Sequence, residues 1–142
     1  MTMNDKGIGF PPRIGGRGQV AGRTVGHHGP AVVALGGGHG LSMSLKALRR
    51  LTDDVTAIVG VADDGGSSGR IRSELGLPPP GDLRMALAAL WGDDAWGRTW
   101  SQVMQHRFAG EGEMAGHATG NLLIAALWEE TGNLVAGLDW VA

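Results

Sequence analysis

The chain has 142 residues, of which 42% are hydrophobic and 18% charged, with a net charge of −2, 26 glycines and no cysteine. The missing cysteines exclude a disulfide scaffold, thiol catalysis and a cysteine-ligated zinc, and the charge gives no basic footprint for nucleic acid. The longest strongly apolar run, Leu122 to Trp128, is too short to span a membrane, and no secretory signal is visible, so we expect a cytoplasmic protein.

Residues 1–29 form a glycine- and proline-rich segment. It contains eight glycines and the pair Pro11 and Pro12, but few large apolar side chains. Such a segment cannot bury enough apolar surface to offset the entropy of ordering it. We therefore predict a disordered tail over residues 1–29 and a folded part over residues 30–142.

The folded part opens with two apolar runs separated by a helix. The run over residues 31–35 ends in a glycine-rich stretch; Leu41, Leu45 and Leu48 then recur at helical spacing, and a second run extends from Val55 to Val61. The order strand, glycine loop, helix, strand is typical of a βαβ unit with parallel strands. Because the first run is almost continuously apolar, we expect its strand to be covered on both faces.

Four helices are predicted downstream. The first runs through residues 71–75 and stops at Gly76, and the second is capped by Asp82 after three prolines. The third carries apolar side chains at helical spacing over residues 96–108, ending with Phe108. The last ends near Gly132, and its apolar face is formed by Leu122, Leu123, Ala126 and Leu127.

These elements predict an α/β chain with a Rossmann-like three-layer fold and a parallel sheet. Two strands are fewer than the roughly four to six that such a sheet typically has. We therefore expect residues 30–142 to be the N-terminal part of a nucleotide-binding domain, with the fold incomplete in this chain.

The first candidate site is the glycine-rich stretch that joins the first strand to its helix. It comprises Gly37, Gly38, His39, Gly40 and Ser42. Backbone N–H groups at such a turn, together with the helix dipole, bind phosphate. The stretch matches neither the P-loop nor G-x-G-x-x-G. A tight turn that lets helix and strand pack closely is the alternative.

The second candidate site follows the second strand and contains Asp63, Asp64, Ser67 and Ser68. Ligands of open α/β sheets lie outside the carboxyl ends of the strands, so both loops can converge on one crevice. The two carboxylates could hold Mg²⁺ or bind a ribose, and the serines could donate to phosphate. A polar turn with a serine helix cap is the alternative.

Two later motifs carry polar residues with weaker indications. The prolines and Asp82 are explained by a connector and a cap. Arg107 could reach a phosphate, but a cation that complements a helix dipole is the favoured explanation. His117, Gly120 and Asn121 lie at another glycine-flanked helix start, which offers a second anion site. His117 could act as acid, base or phosphate donor, or serve a structural role.

Five motifs in one order carry a family resemblance. They are GGGHGLS at 36–42, VADDGGSSGRIR at 61–72, PPPGDLR at 78–84, HRF at 106–108 and GHATGNLL at 116–123. The set resembles the YvcK-like family, labelled gluconeogenesis factor, in the superfamily that includes 2-phospho-L-lactate transferase (CofD-like). Members continue well past the position of Ala142, so the resemblance implies that this chain is an N-terminal part.

The resemblance implies a cytoplasmic regulator that binds a nucleotide sugar such as UDP-N-acetylglucosamine and acts on cell shape and cell-wall synthesis during gluconeogenic growth. Two alternatives stay open: a transferase that moves a phospho-acid from a guanosine nucleotide with Mg²⁺, or an inactive truncated fragment. The absence of an evident nucleophile favours binding over turnover. No other cofactor, nucleic acid or membrane insertion is expected, and a homo-oligomer is left open.

The resemblance also implies roles for the candidate residues. Residues 37–40 and Ser42 would hold the diphosphate, Asp63 and Asp64 would face the nucleotide or a metal, and His117, Gly120 and Asn121 would close the crevice. This chain differs from many relatives in carrying His39 where they have a hydroxyl residue, although an imidazole can also donate to phosphate.

Overall fold

The computed structural model describes residues 29–142, so the tail predicted for residues 1–29 lies, apart from Gly29, outside the described residues. The described part contains two strands and six helices, none of them long and apolar enough to cross a lipid bilayer. In chain order they are β1 (Val32–Gly36), α1 (Gly38–Leu48), β2 (Val55–Val59), α2 (Gly66–Leu75), α3 (Gly81–Leu90), α4 (Ala95–Gln105), α5 (Thr119–Thr131) and α6 (Leu134–Asp139).

The predicted βαβ unit is confirmed. β1 and β2 pair in parallel, with Val32 opposite Val55 and Gly36 opposite Val59, and α1 is the crossover between them. Because the strands run in the same direction, both glycine-rich loops leave the sheet at the same edge. There the Gly60 N–H donates to the Gly36 carbonyl over 2.8 Å.

The sheet is covered on one face only in the part of the chain that is described. Alternate strand residues pack against α1 and α3; the cluster contains Leu41, Leu45, Ala86 and Ala89 from the helices and Ala34, Val55, Ala57 and Val59 from the strands. The residues between them point the other way, so Val33 is 65% and Leu35 78% exposed. The expectation of two covered faces is therefore wrong for these residues, because both packed helices lie on the same side.

A second hydrophobic cluster joins the later helices. Met104 of α4 and Ile124 of α5 are completely buried at its centre. Leu83 and Leu87 of α3 pack against it. Because α3 turns Ala86, Ala89 and Leu90 to the first cluster and Leu83 and Leu87 to the second, this helix is the common wall of both.

Both predicted glycine stops are confirmed. α2 ends at Gly76, with φ = +67°, and α5 ends at Gly132, with φ = +60°. Glycine adopts this left-handed conformation without a steric penalty, which is why it so often follows the last turn of a helix.

Two predicted helix details are wrong. Asp82 does not cap α3: the helix begins at Gly81 without a side-chain cap, and Asp82 lies inside its first turn. α4 ends at Gln105, so Phe108 is not on that helix. The Phe108 N–H instead donates to the His117 carbonyl over 3.0 Å, in a short antiparallel contact that turns the chain away from the helix axis.

The apolar face predicted for the last helix is only partly correct. Leu123 and Ala126 are exposed, whereas Asn121, Ile124 and Trp128 are buried. The buried stripe is rotated because α5 turns its amide side chain, Asn121, towards polar groups of α2 and α3.

Leu45→Ala tests the first hydrophobic cluster. Leu45 is 0% exposed, and its truncation both removes burial and leaves a cavity, so we expect the free energy of unfolding to fall by about 2–5 kcal/mol. Leu35→Ala, at a strand position that is 78% exposed, is the matched control and should change it by less than about 0.5 kcal/mol. Urea unfolding followed by circular dichroism measures both, and equal losses would contradict the assignment of the covered face.

Candidate functional site

Three helices begin at one cavity of about 480 Å³. α1, α2 and α3 start at Gly38, Gly66 and Gly81, and all three glycines line the cavity. The unpaired N–H groups and the dipole of a helix N-terminus favour an anion. The other lining residues are His39, Asp63, Gly65, Ser67, Ser68, Asp82, Arg84, Met85 and Arg107.

Glycine is required at particular points of this wall. Gly38 and Gly66 have φ values of +57° and +49°, which let each loop turn directly into its helix. At Gly69 the reason is steric, because a Cβ there would overlap the Asp64 carbonyl oxygen. The second loop therefore lies directly on the first turn of α2.

Two buried serines of α2 form the floor of the cavity. Ser67 is 1% exposed and Ser68 is 3% exposed. Nδ2 of Asn121 donates to the two hydroxyl oxygens, over 3.1 Å to Ser67 and 3.4 Å to Ser68. The Gly81 N–H donates to Ser68 Oγ over 3.1 Å. These bonds tie the first turns of α2 and α3 to α5.

Arg84 is a buried cation in the same wall. Its side chain is 2% exposed. Nε donates to Asn121 Oδ1 over 2.8 Å, and Nη1 donates to the Met104 carbonyl over 3.4 Å and to Gln105 Oε1. All three acceptors are neutral, and within residues 29–142 the guanidinium forms no ion pair, in contrast to Arg49 with Asp93.

Burial and, to a smaller extent, the nearby charge of Arg107 lower the pKa of Arg84 to about 10, while Asp82 opposes the shift. The guanidinium therefore remains protonated at neutral pH. A buried cation without a carboxylate partner costs free energy that an anionic ligand would offset.

His117 lies behind the serine floor and does not line the cavity. Its Nδ1 is 3.1 Å from Ser67 Oγ, and the residue is 9% exposed. Burial lowers the pKa of His117, and the charge of Arg70 lowers it as well, while Glu74 acts in the opposite direction. The imidazole is therefore neutral at physiological pH.

Two carboxylates line the cavity, Asp63 and Asp82, while Asp64 is exposed and outside it. Oδ1 of Asp63 accepts the Gly65 N–H over 3.0 Å. No group of three or more histidine, aspartate or glutamate side chains that could hold a metal occurs in the described ranges. Mg²⁺ is commonly bound through one or two carboxylates plus phosphates and water. Asp63 and Asp82 are the two carboxylates of the lining that could contribute to such a site.

The predicted site residues fall into three groups. Gly38, His39, Asp63, Ser67 and Ser68 line the cavity. Behind it lie His117, Gly120 and Asn121, which are buried and contact the wall. The others are outside: Gly37 backs onto the Asp82 carboxylate, Gly40 is exposed, Ser42 is buried in α1, and Asp64 is at the surface.

The structure adds lining residues that the sequence analysis treated as structural or did not consider. Arg84 and Asp82 come from the proline-rich motif, and Arg107 follows α4. One signal in the sequence could have pointed to Arg84. It lies among apolar residues from Leu83 to Leu90, with no acidic residue three or four positions away to pair with it.

Loops at the carboxyl ends of parallel strands, enclosing a cavity between helix N-termini, define a Rossmann-like α/β protein. The family model described as 2-phospho-L-lactate transferase CofD matches residues 32–142. The chain belongs to this family.

Its relatives include proteins named for gluconeogenesis. A "Putative gluconeogenesis factor" of Mycobacterium leprae is 64% identical over 112 residues, which are 79% of this chain and 31% of the relative. The "Gluconeogenesis factor" of Bacillus subtilis is 48% identical over 104 residues, 73% of this chain and 32% of the relative. A crystal structure of a Bacillus halodurans protein superimposes with a TM-score of 0.70 at 45% identity, covering 78% of this chain and 35% of that one. The chain thus spans about a third of the length of these relatives.

The free energy of unfolding should depend on pH through His117. Because the pKa of His117 is lowered in the folded chain, only the unfolded chain takes up this proton as the pH falls through about 6.5, the usual value for histidine. Stability is therefore retained above that pH and decreases below it. Urea midpoints at about pH 7.5 and about pH 5.5 measure the decrease. His117→Asn cannot titrate and should show a smaller one; an equal decrease in both proteins would contradict the buried neutral imidazole.

Proposed function

We propose that this chain supplies the diphosphate-binding part of a nucleotide-sugar site of the UDP-N-acetylglucosamine type. Its protein would act as a cytoplasmic regulator of cell shape and cell-wall synthesis during growth on gluconeogenic carbon sources. The relatives named gluconeogenesis factor support the metabolic context of this proposal.

The observation that carries the proposal is the buried Arg84 guanidinium. It forms only neutral hydrogen bonds within the described residues, and it shares a cavity wall with three helix N-termini. Arg107 adds a second cation to the lining. Helix N-termini and guanidinium groups both bind phosphate oxygens, so several N-termini and two guanidinium groups at one cavity suit a diphosphate.

The arrangement favours binding over turnover. Ser67 and His117 form a hydroxyl–imidazole contact, but Ser67 Oγ also receives N–H groups from Ala118 and Asn121. With both lone pairs engaged, this oxygen is poorly placed to attack a substrate. Ser68, the other serine of the lining, forms no hydrogen bond with a base among the described residues.

A transferase is the second candidate. The description of the matching family names 2-phospho-L-lactate transferase, and the carboxylates of Asp63 and Asp82 fit a Mg²⁺ brought by a nucleotide. Bound Mg²⁺ would neutralise developing phosphate charge, while Arg84 would hold the phosphate oxygens and exclude water from that side. This candidate predicts a preference for a guanosine nucleotide with Mg²⁺.

Isothermal titration of the 142-residue chain with UDP-N-acetylglucosamine, and separately with GDP and Mg²⁺, tests the two candidates. We expect saturable binding of the UDP sugar and weaker binding of GDP. Tighter binding of GDP than of the UDP sugar would favour the transferase over the regulator. If neither ligand bound, both candidate functions would be overturned for this chain.

Arg84→Gln should weaken binding of UDP-N-acetylglucosamine by about tenfold to a hundredfold, because a charge-assisted hydrogen bond to phosphate contributes about 1.5–3 kcal/mol. Arg72→Gln, at an exposed position of α2 outside the cavity, is the matched control and should bind as the parent chain does. Equal affinities of the two variants would remove Arg84 from the binding site.

A further inference from the structure

The hydrogen bonds of one buried polar group at the cavity wall distinguish residues that can touch a ligand from residues that position others. The group consists of Ser67, Ser68, Arg84, His117 and Asn121. Each is at most 9% exposed, so most of its polar atoms have partners within the protein. The hydrogen bonds of the group therefore show which donors are already engaged and which still face the cavity.

Asn121 fixes the direction of the whole group. The Nε–H of Arg84 can only donate, so the atom 2.8 Å from it is the Asn121 carbonyl oxygen Oδ1. The amide nitrogen Nδ2 must then point to the serines, where its two hydrogens meet Ser67 Oγ and Ser68 Oγ. No donor capacity of Asn121 is left over.

Ser67 has no proton to offer a ligand. Its oxygen accepts the Ala118 N–H over 3.4 Å and the Asn121 amide over 3.1 Å, which uses both lone pairs. The hydroxyl hydrogen must then go to His117 Nδ1, at 3.1 Å. His117 consequently accepts at Nδ1 and carries its own proton on Nε2.

Ser68 differs from Ser67 in one respect. Its oxygen accepts the Gly81 N–H and the Asn121 amide, but its hydroxyl hydrogen meets no acceptor in the described residues. Ser68 lines the cavity. Gly81 makes this placement possible, because a Cβ at that position would overlap Ser68 Oγ.

Arg84 has unused capacity at one nitrogen as well. Nε and Nη1 are engaged with Asn121, Met104 and Gln105, whereas Nη2 has no hydrogen-bond partner among residues 29–142. Arg84 also lines the cavity. Two donors, Ser68 O–H and Arg84 Nη2–H, thus remain available on one wall.

We propose that Ser68 and Arg84 are the side chains that bind an anionic phosphate oxygen of the ligand, and that Ser67, Asn121 and His117 are positioning residues that never touch it. His117 accepts a hydrogen bond from the Ser67 hydroxyl, so the Ser67 lone pairs remain free to accept from Asn121. Asn121 held in this way orients Ser68 and Arg84. The proposal deepens the proposed function and rests on it only for the identity of the ligand.

The assignment has a test that needs no ligand. Nitrogen-15 NMR of the His117 ring in the free 142-residue chain should show the Nε2–H tautomer. In Ser67→Ala the ring loses its donor, and the signals should move towards a mixture of tautomers, whereas in Ser68→Ala they should stay as in the parent chain. A parent chain with its proton on Nδ1 would overturn the donor count.

Inorganic pyrophosphate is the probe for the ligand arm. By calorimetry we expect Ser68→Ala to weaken pyrophosphate binding about tenfold to a hundredfold, as the loss of a hydrogen bond to a charged group predicts. Ser68→Ala also removes the acceptor of the Gly81 and Asn121 N–H groups. Ser68→Cys therefore serves as a second variant, because it keeps a weaker donor in the same place. Its affinity for pyrophosphate should lie between those of Ser68→Ala and the parent chain. Unchanged affinity in both variants would show that Ser68 does not touch the anion.

The positioning role of His117 is tested by a pair of variants at that residue. His117→Asn offers a carbonyl oxygen near the place of Nδ1 and should retain pyrophosphate affinity within about threefold, whereas His117→Leu offers no acceptor and should lose about tenfold. Equal losses would mean that the ring itself binds the anion. A parent chain that binds pyrophosphate but not UDP-N-acetylglucosamine would end the proposed function and leave this inference standing, while no binding of pyrophosphate would overturn this inference.

Discussion

The hydrogen bond from Arg84 Nε to Asn121 Oδ1 is the interaction on which the arrangement of the later helices depends. A buried guanidinium is tolerated only when its N–H groups find acceptors. Here the acceptors come from α4 and α5, so one side chain of α3 is hydrogen-bonded to both of the following helices. Gly120 allows the close approach, because a Cβ there would overlap Arg84 Cδ and Met104. The charge thus constrains the packing before any ligand is considered.

The same constraint explains why the serines of α2 are buried. Asn121 can satisfy Arg84 with its oxygen only if its nitrogen has acceptors on the other side, and Ser67 and Ser68 supply them. The first turn of α2 is therefore held against α5 by polar contacts. A well-satisfied polar group of this kind has fewer alternative arrangements than an apolar contact would have. That property suits a wall that must present donors at defined positions.

Much of the fold could be predicted from the sequence, because its signals are local. The βαβ unit follows from two apolar runs around a helical repeat, and Gly76 and Gly132 mark helix ends through their own conformational freedom. The exposed faces of Val33 and Leu35 could not be predicted, since an apolar strand does not reveal on which side the helices will pack. The rotation of the buried stripe on α5 could not be predicted for a related reason, because Asn121 is buried through its hydrogen bond with Arg84, 37 residues away.

The candidate site was predictable in its glycine-rich loops and in part of its lining. Glycine-rich loops at strand ends indicate where a ligand lies, and five of the predicted residues do line the cavity. An anion site differs from a simple turn in having side chains that lack a hydrogen-bond or ion-pair partner within the protein. Whether a partner is missing depends on the three-dimensional surroundings of the side chain. In the sequence, Arg84 shows no more than the lack of an acidic residue three or four positions away. It becomes informative only when its burial, its neutral acceptors and its unused nitrogen are known together. For the same reason Ser67 and Ser68, identical and adjacent in the chain, acquire different roles solely from what lies opposite each hydroxyl.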